Sequence, residues 1–333
     1  MSPNPSVVIV SPALSDANNG NWRTARRWQE LLDGRCTVRV TRDWPDAHAA
    51  ADVAMLALHA RRSAAPIAAW AREHPGRGLA VVLTGTDLYQ DIRTDASAQR
   101  SLELAQRLVV LQECGPEALP APLRNKTRVI YQSTPALPPL PREADVLRAV
   151  MVGHLRPVKS PETLFAAARL LGGRQDIRIR HIGDAQAEPA LAEAARATAR
   201  DCPHYQWLGA VPHAHALEEI RHAHVLVHTS AMEGGAHVIL EAVRCGTPVL
   251  ASRVPGNVGM LGRDYAGYFP HGDAAALVDL LLACRAGQAA QDPAAHLLGR
   301  LAAQCALRAP LFDAAAERVA LLNLLQDLEA LPP

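Results

Sequence analysis

Residues 233–248 read Glu-Gly-Gly-Ala-His-Val-Ile-Leu-Glu-Ala-Val-Arg-Cys-Gly-Thr-Pro, and this stretch decides the fold. An apolar run typical of a buried strand, Val225–His228, precedes it, and two glycines then form a turn that opens a helix. Gly246 ends the predicted helix, and Pro248 begins the next strand. Strand, turn, helix and strand in this order predict a βαβ unit in a parallel sheet.

The same alternation of short apolar runs and longer helical patterns extends over the whole chain. The runs are almost entirely apolar, which indicates sheets covered by helices on both faces. The predicted strands are Val7–Ser11, Thr37–Thr41, Val53–Leu58, Leu79–Leu83, Arg107–Leu111, Arg128–Tyr131, Arg148–Gly153, Ile177–Ile182, Tyr205–Leu208, Val225–His228, Pro248–Ala251 and Gly267–Phe269. The predicted helices are Gly20–Leu32, Ser63–Glu73, Asp95–Ala105, Pro161–Leu171, Glu188–Asp201, His215–His222, Ala236–Cys245, Ala274–Arg285, Ala294–Leu307 and Phe312–Leu328.

A proline-rich segment divides this pattern into two halves. Thr134–Pro141 contains four prolines in eight residues, which makes a stiff, extended connection. We therefore predict an α/β protein with two Rossmann-like, doubly wound domains, at residues 1–135 and 148–308, joined by a linker at 136–147 and followed by a C-terminal helix within 309–333. Ligands of such sheets bind at the carboxyl ends of the strands, so we expect the two domains to face each other across a cleft.

The composition argues against some classes of binding partner. With 34 Lys+Arg against 33 Asp+Glu, the net charge of +1 offers no global attraction for nucleic acid or an anionic membrane. The apolar runs are far shorter than the ~20 residues that span a bilayer, and the first residues lack the basic and apolar regions of a signal peptide. Six scattered cysteines then indicate reduced thiols, and we expect a cytoplasmic protein that acts on small molecules.

The first candidate site lies on the glycine turn and helix described above. The glycines allow a ligand to approach the backbone closely, and the helix start offers N–H groups to anionic oxygens. Two carboxylates about two helical turns apart can address different parts of one long polar ligand. The candidate ligand-binding residues are Glu233, Gly234, Gly235, Ala236, His237 and Glu241.

Three cationic side chains follow the first predicted strand of the second half. His154, Arg156 and Lys159 lie between that strand and the next helix, where fixed cations can bind an anionic group of a ligand. From these residues alone, either His154 or Arg156 can share this task with Lys159. Gly183 ends the following predicted strand.

A second, anion-binding site is predicted in the first half. Gly20 and Asn21 open a helix whose amides are expected to point at the cleft, and Arg23 lies in its first turn beside Thr24. Arg27 lies four residues after Arg23, on the same face of the helix. The polar residues Thr86 and Asp87 follow the fourth predicted strand; Asp87 can orient Arg23 or a sugar hydroxyl, and the sequence leaves both roles open.

The Glu-x7-Glu spacing followed by Ala-x-x-x-Gly-x-Pro resembles the retaining-type glycosyltransferases of GT-B fold. This resemblance implies that Glu233 and the glycine amides hold the donor sugar and that Glu241 takes the ribose hydroxyls of the nucleotide. It also implies that Lys159 and an arginine bind the diphosphate, where fixed cations stabilise the departing charge, and that the loop at Gly183 encloses the nucleotide base. The usual arginine position here holds His154, and Arg156 comes two residues later. Lys159, Arg156 and Glu233 are the implied catalytic residues.

Three further motifs resemble one branch of that group, the selenosugar synthases of selenoneine biosynthesis. These motifs are Gly-Asn-Trp-x-Thr-Ala-x-Arg-Trp from Gly20, Leu-Thr-Gly-Thr-Asp-Leu-Tyr from Leu83, and Gly-His-Leu-Arg-Pro-Val-Lys from Gly153. The resemblance implies transfer of a hexose, of glucose or N-acetylglucosamine type, from a UDP-sugar to selenophosphate, giving a 1-seleno sugar. It places selenophosphate against Gly20, Asn21, Arg23, Thr24, Thr86 and Asp87.

Other interpretations remain open at this stage. A GT-B glycosyltransferase could act instead on a thiol, a sugar phosphate or a lipid, and a non-catalytic nucleotide-sugar sensor could use the same residues. The histidines at 213, 215, 222, 224 and 228 are crowded, but no carboxylate or cysteine is spaced with them as a metal ligand. We therefore expect no metal and no other cofactor, the UDP-sugar being a substrate.

Overall fold

The computed structural model describes residues 5–14, 20–288 and 295–330. By their internal contacts these residues form two compact units. The first unit comprises Met1–Ser133, Glu233–Gly235 and Leu311–Pro333, and the second comprises Thr134–Met232 and Ala236–Pro310. The predicted linker at 136–147 has no helix or strand before the next strand begins at Leu147.

The strands in the described residues follow the predicted ones closely. They are β1 (Ser6–Val10), β2 (Thr37–Thr41), β3 (Asp52–Leu58), β4 (Leu79–Leu83), β5 (Arg107–Val110), β6 (Thr127–Val129), β7 (Leu147–Val152), β8 (Ile177–Ile182), β9 (Tyr205–Gly209), β10 (Val225–His228), β11 (Val249–Ser252) and β12 (Tyr268–Phe269). Every pairing between them is parallel.

The helices alternate with these strands. They are α1 (Gly20–Leu32), α2 (Ala64–Glu73), α3 (Ile92–Thr94), α4 (Ala96–Leu104), α5 (Pro161–Leu170), α6 (Pro189–Asp201), α7 (His213–His222), α8 (His237–Arg244), α9 (Pro255–Leu261), α10 (Ala274–Gln288), α11 (Leu297–Arg308) and α12 (Ala314–Asp327). The sequence predicted neither α3 nor α9. The helix predicted from Ala294 begins at Leu297 in the structure, and Ala294 itself lies outside the described residues.

The first unit is built on a six-stranded sheet in the order β2-β1-β3-β4-β5-β6. Its hydrophobic core has two parts, one on each face, because alternate residues of β1 point to opposite sides. Val8 and Val10 belong to one cluster and Val7 and Ile9 to the other, and all four are fully buried. The second cluster includes leucines of α12, so the last helix completes the core of this unit.

The second unit has its own six-stranded sheet, in the order β12-β11-β10-β7-β8-β9. In this order the chain moves outward from β7 in one direction and then returns to add β10 on its other side. The strand order therefore reverses between β7 and β10, and the crevice at their carboxyl ends is where such sheets bind ligands. Two parallel, doubly wound α/β units confirm the predicted fold class.

No helix among the described residues is long and apolar enough to cross a membrane.

Candidate active site

The two donor motifs predicted in the second half follow β7 and β10, the neighbouring strands at which the strand order reverses. The segment Gly153–Lys159 leaves β7, and Thr229–Met232 leaves β10. The hydroxyl of Thr229 donates to the carbonyl of Lys159 at 2.7 Å, and the amide of Ala231 donates to the carbonyl of Val158 at 2.9 Å. These bonds join the cationic loop to the exit of β10.

The three predicted cationic residues lie on this loop. His154 and Arg156 are exposed, and Lys159 is half-buried at the end of a short 3₁₀ turn, Pro157–Lys159. Ser160, which follows, has a left-handed backbone with φ of 46°, and this turns the chain into α5. His154 and Arg156 are both exposed on the same loop, so their exposure does not distinguish between them as diphosphate-binding residues.

Gly183 holds the ends of β7 and β8 together. A Cβ atom at this position would lie 1.8 Å from the carbonyl oxygen of Gly153, so only glycine fits. The Gly183 amide donates to the carbonyl of Gly209 at 2.9 Å, and its carbonyl accepts from the indole of Trp207 at 2.9 Å. The loops after three adjacent strands are therefore tied together at one edge of the sheet.

Glu241 lies inside α8, with its carboxylate buried. Ala236, 4% exposed, stands at the N-cap of this helix, and His237 is its first residue. The Oε1 atom of Glu241 accepts a hydrogen bond from Nε2 of His213 at 2.7 Å and lies 3.5 Å from Nε2 of His237. A buried carboxylate is costly unless it is hydrogen-bonded, and the imidazole of His213 provides this hydrogen bond here.

By its contacts, the loop Glu233–Gly235 belongs to the first unit. A Cβ at Gly234 would lie 2.3 Å from the carbonyl oxygen of Thr84, and one at Gly235 would lie 2.7 Å from Cβ of Leu111. Both glycines are thus required by the packing of the protein itself, a reason that the sequence analysis did not give. Glu233, beside them, is 9% exposed.

In the first unit the predicted anion-binding helix is α1. Gly20, Asn21 and Arg23 lie in its first turn, and Arg23 is exposed. The hydroxyl of Thr24 is buried; it donates to the carbonyl of Gly20 at 2.9 Å and accepts from Gln132 at 2.6 Å, so it supports the helix start. Asn18 and Asn19, which precede Gly20 in the sequence, lie outside the described residues.

Arg27 differs from the expectation that it would join Arg23 in binding an anion. Its guanidinium forms an ion pair with the buried carboxylate of Glu317 on α12, with an N–O distance of 2.9 Å. The sequence could not indicate this partner, which lies 290 residues away.

Thr86 and Asp87, which follow β4, have different surroundings. Thr86 is exposed, whereas Asp87 is fully buried at the start of a single π-helical turn, Asp87–Asp91. The Asp87 carboxylate accepts hydrogen bonds from the amides of Thr84, Gly85 and Ala60 at 2.9–3.0 Å. Asp87 therefore shapes the loop, and neither of the two roles left open for it matches these bonds.

The sequence analysis missed His59, which follows β3. This residue is 2% exposed and has a left-handed backbone, φ 74°, a strained conformation for a side chain with a Cβ atom and one often found at functional sites. Its Nε2 lies 3.2 Å from the hydroxyl of Thr86. The signal in the sequence was a polar residue directly after an apolar strand.

The hydrogen bonds of His59 define its tautomer. The amide of Arg62 donates to Nδ1 at 3.3 Å, and burial lowers the pKa of the imidazole below its usual 6.5. The neutral ring then carries its proton on Nε2 and donates it to Thr86. The Thr86 hydroxyl, exposed and already accepting one hydrogen bond, directs its own proton to another acceptor.

Within the described residues, no group of three or more histidine, cysteine, aspartate or glutamate side chains is arranged to hold a metal ion.

Residues 138–291 match the family described as glycosyl transferases group 1. The structure resembles sucrose-phosphate synthase from Thermosynechococcus elongatus at 19% identity and a TM-score of 0.73, covering 98% of this chain and 100% of that one. It also resembles the Anabaena protein HepE in complex with UDP and glucose, at 15% identity and a TM-score of 0.73, covering 96% and 99% of the two chains. A glycosyltransferase from Rickettsia africae matches at 13% identity and a TM-score of 0.71, covering 99% of each chain.

The likeness to solved structures establishes a GT-B fold. The segment that matches the glycosyl transferases group 1 family, residues 138–291, contains the cationic loop, Gly183 and Glu241. At identities below 20% the structural likenesses establish the fold and nothing finer. No curated protein matches the chain in sequence.

Proposed function

We propose that this protein is a selenosugar synthase, which transfers a hexose of glucose or N-acetylglucosamine type from a UDP-sugar to selenophosphate. One observation carries the donor half of the proposal. The buried carboxylate of Glu241 and the cationic loop ending at Lys159 follow the two strands between which the sheet order of the second unit reverses. HepE, which shares the fold, has been crystallised with UDP and glucose, and this supports a UDP-sugar donor.

The donor residues have separate tasks in this proposal. Glu241 accepts hydrogen bonds from the ribose hydroxyls, the loop that begins at Gly183 encloses the base, and Glu233 with the amides of Gly234 and Gly235 holds the hexose. When the bond from the anomeric carbon to the diphosphate oxygen breaks, its electron pair passes to UDP. Lys159, assisted by Arg156 or His154, stabilises that developing charge.

The acceptor half of the proposal rests on the chemistry of selenophosphate. This compact anion is ionised near neutral pH, so its selenium can attack the anomeric carbon with little help from a general base. The first turn of α1 and the exposed Arg23 offer the positive end of a helix and a guanidinium to its oxygens. The Thr86 hydroxyl, with its proton directed away from His59, is a further donor for an anionic oxygen.

The transfer forms one carbon–selenium bond and releases one UDP. The selenium still carries the phosphoryl group at that point, and its removal consumes one water and releases inorganic phosphate. The proposal includes no metal ion, since cationic side chains neutralise the diphosphate. Dialysis against EDTA should therefore leave the transfer rate unchanged, and recovery of lost activity by Mg²⁺ or Mn²⁺ would contradict this part.

Calorimetry tests the donor roles. Glu241→Ala should weaken the binding of UDP itself, because two charge-assisted hydrogen bonds of roughly 1.5–3 kcal/mol each are lost. Glu233→Ala should weaken UDP-sugar binding much more than UDP binding. Unchanged UDP affinity in a folded Glu241→Ala protein would remove the ribose role.

The acceptor is tested by product analysis and inhibition. Mass spectrometry should show a seleno sugar when UDP-sugar and selenophosphate are supplied together. Arg23→Ala should raise the KM for selenophosphate and leave UDP-sugar binding nearly intact, and inorganic phosphate or thiophosphate should compete with the acceptor. If neither anion inhibits at millimolar concentration and a neutral thiol is glycosylated well, selenophosphate is not the acceptor, although the glycosyltransferase class stands.

A further inference from the structure

The imidazole of His213 has no role in the function proposed so far, yet it makes the closest side-chain contact to Glu241. His213 is the first residue of α7, directly after Pro212 at the N-cap. Its Nε2 lies 2.7 Å from Oε1 of Glu241, across 28 residues of sequence. This is the length of a strong, charge-assisted hydrogen bond, and it joins the start of α7 to the middle of α8.

The two imidazoles near Glu241 contact the same one of its two carboxylate oxygens. Both imidazoles, from His213 and from His237, approach Oε1, and among the described residues Oε2 accepts no hydrogen bond. The side chain of Glu241 is only 6% exposed, so its rotamer is fixed by the packing and by this bond. One oxygen of the carboxylate is thus anchored, and the other is left to accept hydrogen bonds from a ligand.

The packing of α7 does not explain the histidine. The buried residues of this helix are Ala216, Glu219 and Ile220, whereas the side chain of His213 is 52% exposed. A half-exposed imidazole contributes little to the core, whereas it does bond to a buried carboxylate of a neighbouring helix.

We propose that His213 is a positioning residue for nucleotide recognition. By donating from Nε2 to Oε1, it holds the Glu241 carboxylate in the orientation in which Oε2 meets the ribose hydroxyls. This inference rests on the proposed ribose role of Glu241. His213 adds to that role by fixing the orientation of the Glu241 carboxylate. His213 itself contacts no ribose hydroxyl.

A comparison of UDP with 2′-deoxy-UDP and 3′-deoxy-UDP tests the inference by calorimetry. The wild-type protein should prefer UDP over at least one deoxy analogue by about tenfold, as expected for one hydrogen bond to a charged group. In His213→Ala this preference should fall to about twofold, because the carboxylate is no longer oriented. The affinity for that deoxy analogue should change by less than about twofold, which also shows that the variant is folded.

Two further variants complete the test. His213→Gln keeps a donor near the position of Nε2 and should restore most of the preference. His215→Ala is the matched control, since His215 lies on the same helix, is 49% exposed and contacts Glu219 rather than Glu241; its preference should equal that of the wild type.

The possible failures are distinguishable. Equal weakening of all three ligands in His213→Ala would indicate a merely structural residue and overturn the inference. If Glu241→Ala abolishes the preference but His213→Ala retains it, the inference fails and the proposed function stands. If Glu241→Ala itself retains the preference, the ribose role on which both rest is wrong.

Discussion

Lys159 is positioned through its backbone. Its carbonyl accepts from the hydroxyl of Thr229, and the carbonyl of the preceding Val158 accepts from the amide of Ala231. These bonds fix the backbone of the turn that carries Lys159 to the exit of β10. A preorganised cation of this kind acts most strongly where charge develops in the transition state.

Lys159→Ala should lower kcat by roughly 10²–10³-fold, as the removal of one preorganised charge-stabilising group does elsewhere. Steady-state kinetics with a saturating UDP-sugar measures the change. Arg174→Ala, at an exposed ion pair with Asp176, is the control and should leave kcat unaltered. A rise in KM with kcat preserved would mean that Lys159 binds ground state and transition state equally.

The ends of β7 and β8 meet at Gly183, so a single methyl group is the smallest probe of this arrangement. In Gly183→Ala the new Cβ overlaps the backbone oxygen of Gly153, and backbone atoms cannot move aside as a flexible side chain can. We expect a loss of about 3 kcal/mol in the free energy of unfolding, at the upper end of overpacking effects, and weaker UDP binding.

Urea denaturation and UDP calorimetry measure the two effects of Gly183→Ala. Gly173→Ala is the control, because no atom lies within 4 Å of the Cβ it would add. Equal stability of the two variants would show that the β7 and β8 ends separate at little cost.

The last helix, α12, carries a buried carboxylate that binds several residues of the first unit. Glu317 is 1% exposed and binds the guanidinium of Arg27, the indole N–H of Trp28 at 2.7 Å, and the amide and hydroxyl of Ser133. Asp327, near the end of the helix, forms ion pairs with arginines of β5 and β6. These contacts make α12 part of the first unit.

Glu317→Ala should destabilise the protein by about 3–5 kcal/mol, because its loss leaves buried donors and a largely buried guanidinium without their acceptor. Denaturant unfolding checks the value. Glu30→Ala removes an exposed i,i+4 partner of Arg26 and should change the stability by less than about 0.5 kcal/mol. Similar losses from both variants would contradict the assigned role of Glu317.

At the scale of the whole molecule, buried histidines make the stability depend on pH. Burial lowers the pKa of His181 to about 3 and that of His224 to about 4, and it lowers the pKa of His59 as well. Below pH 6.5 the unfolded chain binds protons at these sites while the folded chain does not. The contribution of these neutral histidines to the free energy of unfolding is therefore fully present above pH 6.5 and is lost as the pH falls.

Between pH 7 and pH 5, His181 and His224 should each lower the free energy of unfolding by about 2 kcal/mol. Urea denaturation at both pH values measures this loss. His181→Gln retains a polar partner for the hydroxyl of Tyr205 but does not titrate. Between pH 7 and pH 5 its free energy of unfolding should therefore decrease by about 2 kcal/mol less than that of the wild type. An unchanged loss in this variant would mean that His181 is not buried in its neutral form.

The sequence by itself determined the elements and the fold class. Strands such as Ile177–Ile182 and helices such as Gly20–Leu32 begin and end at the predicted residues, because the apolar runs and the glycine and proline breaks are local signals. The exceptions are α3, which has only three residues, and α9, which is seven residues long and begins with proline. Six of its seven residues are buried, so it lacks the polar face that gives a helical period.

Only the tertiary structure decided which side chains meet. The pairing of His213 with Glu241 spans 28 residues, and that of Arg27 with Glu317 spans 290. The reversal of strand order between β7 and β10, and the contact of His59 with Thr86, likewise follow from the order of strands in each sheet. Periodicity along the chain shows which face of an element is buried, but the partner on that face is set by packing across the sheet, which no local pattern records.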